Sequence, residues 1–167
     1  LHANIGAIKQ AQGDFETALS YYGKAEQLNP SNVNTRLNVG TLFQQKKDFF
    51  KAIKSYDSVL TLYPDNVQAN LYKAQALSEM GNKKDALELY KKVLSLDPTN
   101  TIAKTEITGV MQATMTPNEF ISYLSQKANN DKVLQNTLYD YSVKLHKANK
   151  INDAILKSAG GTYSIIV

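Results

Sequence analysis

Prolines 30, 64 and 98 stand 34 residues apart, each with a leucine two places before it and an asparagine two places after it. The three segments read QLNPSN, TLYPDN and SLDPTN. A repeat of this length marks a chain built by reusing one supersecondary unit, and it constrains the fold more than any local propensity does.

Carried along the whole chain, the same step of 34 aligns further columns. One reads Gly6, Gly40, Ala74, Thr108, Ser142, small or fairly small throughout. Another reads Ala18, Ala52, Ala86, Phe120, Ala154, and its neighbour Leu19, Ile53, Leu87, Ile121, Ile155. A third begins Tyr22, Tyr56, Tyr90 and lapses to Leu124 and Ser158, while the proline column ends in Lys132. Register therefore persists for five units, but residue type holds only in the first three. The expected units are 1–32, 33–66 and 67–100, a degenerate fourth over 101–134 and a truncated fifth over 135–159.

Inside a unit the apolar residues recur at three and four places, as in Val39, Leu42, Phe43 and then Phe49, Ala52, Ile53, Tyr56, Val59, Leu60. That is helical spacing, with two helices per unit. The breaks between paired helices hold Gly13-Asp14, Lys46-Lys47-Asp48 and Gly81-Asn82; glycine and asparagine tolerate the left-handed backbone that ends a helix. The small residue of the first helix and the alanine 12 places later are expected to meet where the two backbones pass closest. Proline lacks an amide hydrogen and clashes with the preceding turn, so LNP, LYP and LDP should each stop a second helix, with their leucines packing inward. Ser31-Asn32, Asp65-Asn66 and Thr99-Asn100 then offer side-chain oxygens to cap the next helix. One hairpin cannot bury its apolar face alone, so successive hairpins must stack. The expected fold class is all-α, a right-handed α-α superhelix, or solenoid, of antiparallel helix pairs.

Gly40, Phe43, Ala52, Tyr56 and Pro64, with their equivalents, closely resemble the tetratricopeptide repeat family over residues 1–100. The resemblance weakens over 101–159, where the fourth unit has Phe120 in the alanine column and Thr116-Pro117 at its internal turn. Other departures are His2, Arg36 and Asn70, where the family often carries tryptophan, and Lys73, where it carries an aliphatic residue. The resemblance implies that first helices line a concave face holding an extended peptide or a partner's helix. On this chain the peptide-binding groove would be formed by Asn4, Asn34, Asn38, Thr41, Gln45, Gln68, Tyr72, Gln75 and Glu79. Beside them on the inner face would lie Ala3, Ala7, Gln10, Ala11, Leu37, Gln44, Leu71 and Ser78. Asn38, Thr41 and Gln45 are spaced to share one helix face, as are Tyr72, Gln75 and Glu79.

Such a groove is polar and almost uncharged. Its amides can both donate to and accept from a peptide backbone, which suits sequence-tolerant recognition of an extended segment. Family members that grip the terminal carboxylate of chaperone tails use lysine and asparagine on the first repeat, asparagine on the second, and lysine and arginine on the third. Here those positions hold Ala3 and Ala7, Asn38, and Gln68 and Tyr72. One neutral amide does not replace several charge-assisted bonds, so a carboxylate clamp is not expected. Asn4 and Asn38 are similar to the asparagine ladder of repeat arrays attached to the O-linked N-acetylglucosamine transferase.

The chain of 167 residues has no cysteine, which removes disulfides and thiolate metal sites from consideration. Its net charge of +4 comes from 19 basic and 15 acidic residues, with the lysine pairs 46/47, 83/84 and 91/92 dispersed among acids. No basic stripe with aromatic platforms is present, so a nucleic-acid partner is not expected. No apolar run approaches the roughly 20 residues that span a bilayer, and membrane insertion is not expected either. His2 and His146 lie far apart in an array that does not fold back, so no shared metal or acid–base pair is expected; His146 is read as a polar surface residue of the fifth unit. No glycine-rich phosphate loop, HExxH or GxSxG stands in the chain. No enzymatic activity and no cofactor are therefore expected.

The expected function is a noncatalytic interaction scaffold that binds an extended segment of a protein partner. Two other readings remain open: a substrate-recruiting arm of a larger enzyme such as a glycosyltransferase, and a scaffold that self-associates through its C-terminal end. The start LHANIG, already helical in pattern, reads as that of a fragment or processed product. The compartment stays open, with the cytoplasm favoured. After Gly160-Gly161, the segment TYSIIV reads as an extended or disordered tail over 160–167.

Overall fold

The computed structural model describes residues 1–127 and 132–147. The sequence readings on the side chain of His146, on the end of the fifth unit and on the tail 160–167 fall outside the described residues.

Six helices pair in order: α1 (His2–Ala11) with α2 (Phe15–Leu28), α3 (Val33–Gln45) with α4 (Phe49–Leu62), and α5 (Val67–Glu79) with α6 (Lys83–Leu96). They are followed by α7 (Thr101–Thr114), α8 (Pro117–Lys127) and α9 (Lys132–Lys147), and there is no strand among the described residues. The chain divides into two compact units, Leu1–Ile107 and a second beginning at Thr108. The division falls inside α7, within the segment expected as the fourth repeat.

In the first unit the same local chemistry is used three times. Residue 13, 47 or 81 takes the left-handed conformation, with φ of 79° at Gly13, 58° at Lys47 and 94° at Gly81. This reversal lets the next amide, of Asp14, Asp48 or Asn82, donate back to Lys9, Phe43 or Leu77 at 2.8–2.9 Å, which closes the end of the first helix. The side chain of that same residue then caps the second helix, accepting from the amide of Thr17, Lys51 or Asp85. Lysine fills this backbone role only at position 47, where its Cβ crowds the following carbonyl. Lys47→Gly is therefore expected to stabilise the first unit by about 1 kcal/mol, less the unfolded-state entropy that glycine adds, and to raise Tm by a few degrees. Thermal denaturation followed by circular dichroism checks this.

The second helices stop as the prolines require. The amides of Asn29, Tyr63 and Asp97 make the last helical bonds, and the next residue is proline each time. Each proline stands second in a turn closed by the amide of Asn32, Asn66 or Asn100, donating to the carbonyl three residues back. Those asparagines cap α3, α5 and α7 by accepting from the amides of Thr35, Ala69 and Ala103 at 3.1, 2.8 and 2.9 Å.

One packing expectation is corrected. Leu28, Leu62 and Leu96 do not pack inward: they are 74%, 53% and 38% exposed. At roughly 100° per residue, Leu62 lies about 90° around the helix from the buried line of Ala52, Tyr56 and Val59. At Gly6 and Gly40 the first helix also lies directly against the tyrosine ring 16 places on. A methyl placed on Gly6 would come within 2.7 Å of Tyr22 Cδ1, and one on Gly40 within 2.8 Å of Tyr56 Cδ1.

Stacking is continuous through α2, α3, α4 and α5. Ala18, Tyr22 and Leu42 form one buried cluster with Phe15, Leu19, Val39 and Phe43. Leu37, Ala52, Tyr56, Val59, Ala69 and Ala76 form the next, which Phe43 also touches. The first unit is thus an all-α solenoid in which each hairpin completes its neighbour's core. The family departures have local explanations. Arg36 Nη2 donates to the Pro30 carbonyl at 2.7 Å and Asn70 Nδ2 to the Pro64 carbonyl at 3.0 Å, each tying down the turn six residues back. Lys73 pairs with Asp57 at 2.6 Å.

In the second unit, α8 opens with Thr116 and Glu119 capping each other: Thr116 N and Oγ1 donate to Glu119 Oε2 at 2.9 and 2.7 Å, and Pro117 takes the first helical position. These bonds hold the Glu119 carboxyl below its usual range. Phe120, Ile121 and Leu124 are buried, and Phe120 meets the Tyr141 ring of α9 edge-on at 4.9 Å. The large ring thus replaces the small residue of the alanine column at a different kind of helix contact.

Candidate functional site

The inner face of the first unit is organised by two copies of one hydrogen-bonded relay. Tyr22, buried in α2, donates its hydroxyl to Gln10 Oε1 at 2.7 Å, and Gln10 Nε2 donates to Gln45 Oε1 of the next hairpin at 2.9 Å. One repeat later, Tyr56 donates to Gln44 Oε1 at 3.1 Å, and Gln44 Nε2 donates to Glu79 Oε1. The chemistry dictates the direction. A buried phenol needs an acceptor, an amide accepts through oxygen while donating through nitrogen, and the next hairpin supplies the second acceptor. Burial, then the fields of Tyr72 and Glu79, push the Tyr56 phenol well above its usual value, so it remains a neutral donor.

The third hairpin changes the pattern. Position 78, equivalent to Gln10 and Gln44, is a serine, and Tyr90 points its hydroxyl at Glu106 of α7, 3.4 Å away. Burial, followed by the fields of Glu106 and Glu79, raises the Tyr90 phenol as well.

Between the second and third hairpins lies a cleft of about 300 Å³ lined by Thr41, Gln44, Gln45, Tyr72, Gln75 and Glu79. Five of the nine groove residues expected from sequence meet there: Thr41, Gln45, Tyr72, Gln75 and Glu79. The other four do not line it. Gln68 donates to the Tyr72 hydroxyl at 2.8 Å and so acts on the cleft wall from outside. The Asn38 carbonyl accepts from the Thr41 hydroxyl at 2.9 Å, and Asn4 and Asn34 are exposed elsewhere on α1 and α3.

The central parts of Gln10 and Gln44 were not legible as such, since both were read only as neighbours of the groove. Their signal was present: a glutamine 12 residues before a tyrosine, repeated at the step of 34. The Tyr72 ring, 5.8 Å from that of Tyr56 and tilted 49° to it, joins the cleft wall to the core. Among the described residues no cluster of histidine, aspartate or glutamate has the arrangement of a metal site, and no helix is long and apolar enough to cross a membrane.

Residues 5–66 match one tetratricopeptide repeat family, and residues 42–105 match a second of the same description. The chain belongs to the tetratricopeptide repeat family. Solved structures agree on the fold of the tetratricopeptide array. The first such domain of Spaghetti (RPAP3), described as bound to the HSP90 peptide SRMEEVD, superposes with a TM-score of 0.63 at 23% identity, covering 67% of this chain and 89% of that one. The Arabidopsis OM64 domain gives 0.61 at 22%, covering 66% and 92%. The Sgt2 domain from Aspergillus fumigatus gives 0.62 at 18%, covering 67% and 76%. No curated protein sequence matches this chain.

Proposed function

We propose that this tetratricopeptide array is a noncatalytic scaffold that holds an extended segment of a protein partner on its inner face, centred on the cleft between its second and third hairpins. The observation that carries this reading is the convergence of Thr41, Gln44, Gln45, Tyr72, Gln75 and Glu79 from α3 and α5 on one cleft. Two helices of different hairpins thus bring side chains that can donate and accept hydrogen bonds to one cleft, the chemistry that holding a peptide backbone requires. The RPAP3 domain of similar fold, described as bound to a peptide, supports a peptide partner.

The test begins with selection of dodecapeptides from a displayed random library on the folded chain. Binding peptides are expected to shift the backbone NMR signals of Thr41, Tyr72 and Gln75 foremost. Tyr72→Ala together with Gln75→Ala should weaken them at least tenfold while leaving the melting curve in place. Shifts centred on the outer helices α2, α4 and α6 would contradict the reading.

A further inference from the structure

The two relays have the same form but end differently. The first, Tyr22–Gln10, ends on the neutral amide of Gln45; the second, Tyr56–Gln44, ends on the carboxylate of Glu79. Positions 45 and 79 are equivalent in the repeat, so the array has placed a charge at one of two matched sites. Gln44 engages Oε1 of that carboxylate, which orients the group toward the cleft it lines.

The surroundings sharpen the contrast. Glu79 is the one acidic residue among the six that line the cleft, and none of the six is basic. Ion pairs among the described residues of the first unit include Lys46–Glu16, Lys51–Asp48, Lys73–Asp57, Lys91–Glu88 and Lys92–Asp65, none of which involves Glu79. Glu106 accepts from the Tyr90 hydroxyl and, with Glu79, acts on that phenol, so a second acidic residue stands close to the third hairpin's tyrosine. This local sign opposes the net charge of +4 carried by the whole chain. Tyr72 presents an aromatic ring on the cleft wall, a surface on which a guanidinium or ammonium group stacks favourably.

Resting on the groove reading above, we infer that the cleft is a pocket for a cationic side chain, an arginine or lysine projecting from an extended partner segment, with Glu79 as its counter-ion and Gln44 as the positioning residue for Glu79. Charge complementarity selects this occupant over an acidic side chain, which would face Glu79 with no cation among the lining residues to offset it. Thr41, Gln45 and Gln75 then serve the backbone of the same segment, so the pocket sets which residue is preferred while the amides hold the chain.

The test uses three synthetic peptides, acetyl-SVTXTVS-amide with X as arginine, citrulline or glutamate, titrated into the intact chain and followed by NMR. Citrulline keeps the shape of arginine and removes its charge. The arginine peptide is expected to bind at least tenfold tighter than the citrulline peptide, with the largest shifts at Tyr72, Gln75 and Glu79. That preference should vanish in Glu79→Gln and shrink when sodium chloride is raised from about 50 to about 500 mM. Gln45 shows that the relay already accepts glutamine at the equivalent position, so Glu79→Gln is expected to fold. If all three peptides bind the cleft equally, or if Glu79→Gln keeps the preference, the cationic pocket is overturned and the groove reading stands. If none of them moves a cleft signal, both are overturned.

Discussion

Gly40→Val is expected to destabilise the first unit by about 3 kcal/mol or more, enough to threaten the fold of a domain whose total stability is on the order of 5–15 kcal/mol. The reason is one contact. The Tyr56 ring lies so close over the Gly40 Cα that a first methyl would already sit 2.8 Å from its Cδ1 and Cζ. Valine adds two further carbons in the same place, and the ring cannot retreat because it is wholly buried among Leu37, Ala52, Val59 and Ala69. The third hairpin sets the scale for the milder change: Ala74 occupies the equivalent position and Tyr90 is still fully buried there. Gly40→Ala should accordingly cost only about 1 kcal/mol, overpacking being offset by alanine's better helix propensity. Urea unfolding of the two variants beside the parent separates these sizes; equal effects would mean that the ring is free to move.

Tyr56→Ala is the second large effect, an expected loss of about 3–5 kcal/mol. The ring joins three helices: it covers Gly40 of α3, fills the α4 core and leans on Tyr72 of α5. Tyr56→Phe keeps all of that packing and removes only the hydroxyl, leaving the Gln44 oxygen without its donor. It should cost about 1 kcal/mol. The comparison of alanine with phenylalanine divides packing from hydrogen bonding in the same denaturation experiment. Because each hairpin completes its neighbour's core, loss at Tyr56 should also loosen α5, which amide hydrogen exchange would register as faster exchange in 67–79.

Much of this fold was legible because the chain writes the same instructions three times. A proline fixes where a helix stops, and an asparagine two residues later caps the next, through purely local bonds that a single sequence displays. The family resemblance and the all-α architecture followed from those columns. Contacts between paired helices were harder to read. The equivalence of Gly6, Gly40 and Ala74 marked a close approach, but spacing alone did not say whether the alanine or the tyrosine of the second helix fills it. Leu28, Leu62 and Leu96 look like core residues by type, yet the turn of the helix carries them outward.

The inner face shows the same division. Helix periodicity gathered Thr41 with Gln45, and Tyr72 with Gln75 and Glu79, and these do line one cleft. It did not distinguish them from Asn4 of α1, or from Asn34 and Asn38, which share α3 but not the cleft. Nor did it reveal that Gln10 and Gln44 bridge neighbouring hairpins, because that depends on where long side chains turn after leaving the helix. Arg36 and Asn70 looked like mere departures from the family; their shared task of holding a proline carbonyl appears only when the turn and the helix face are seen together.

The central claim is that an extended partner segment lies in the cleft between the second and third hairpins. Intermolecular nuclear Overhauser effects between a selected, isotope-labelled peptide and the folded chain measure this directly. Contacts from the peptide to the Tyr72 ring and the Thr41 methyl are the expected result. Contacts confined to outer residues such as Phe50, with none reaching Tyr72, would contradict it.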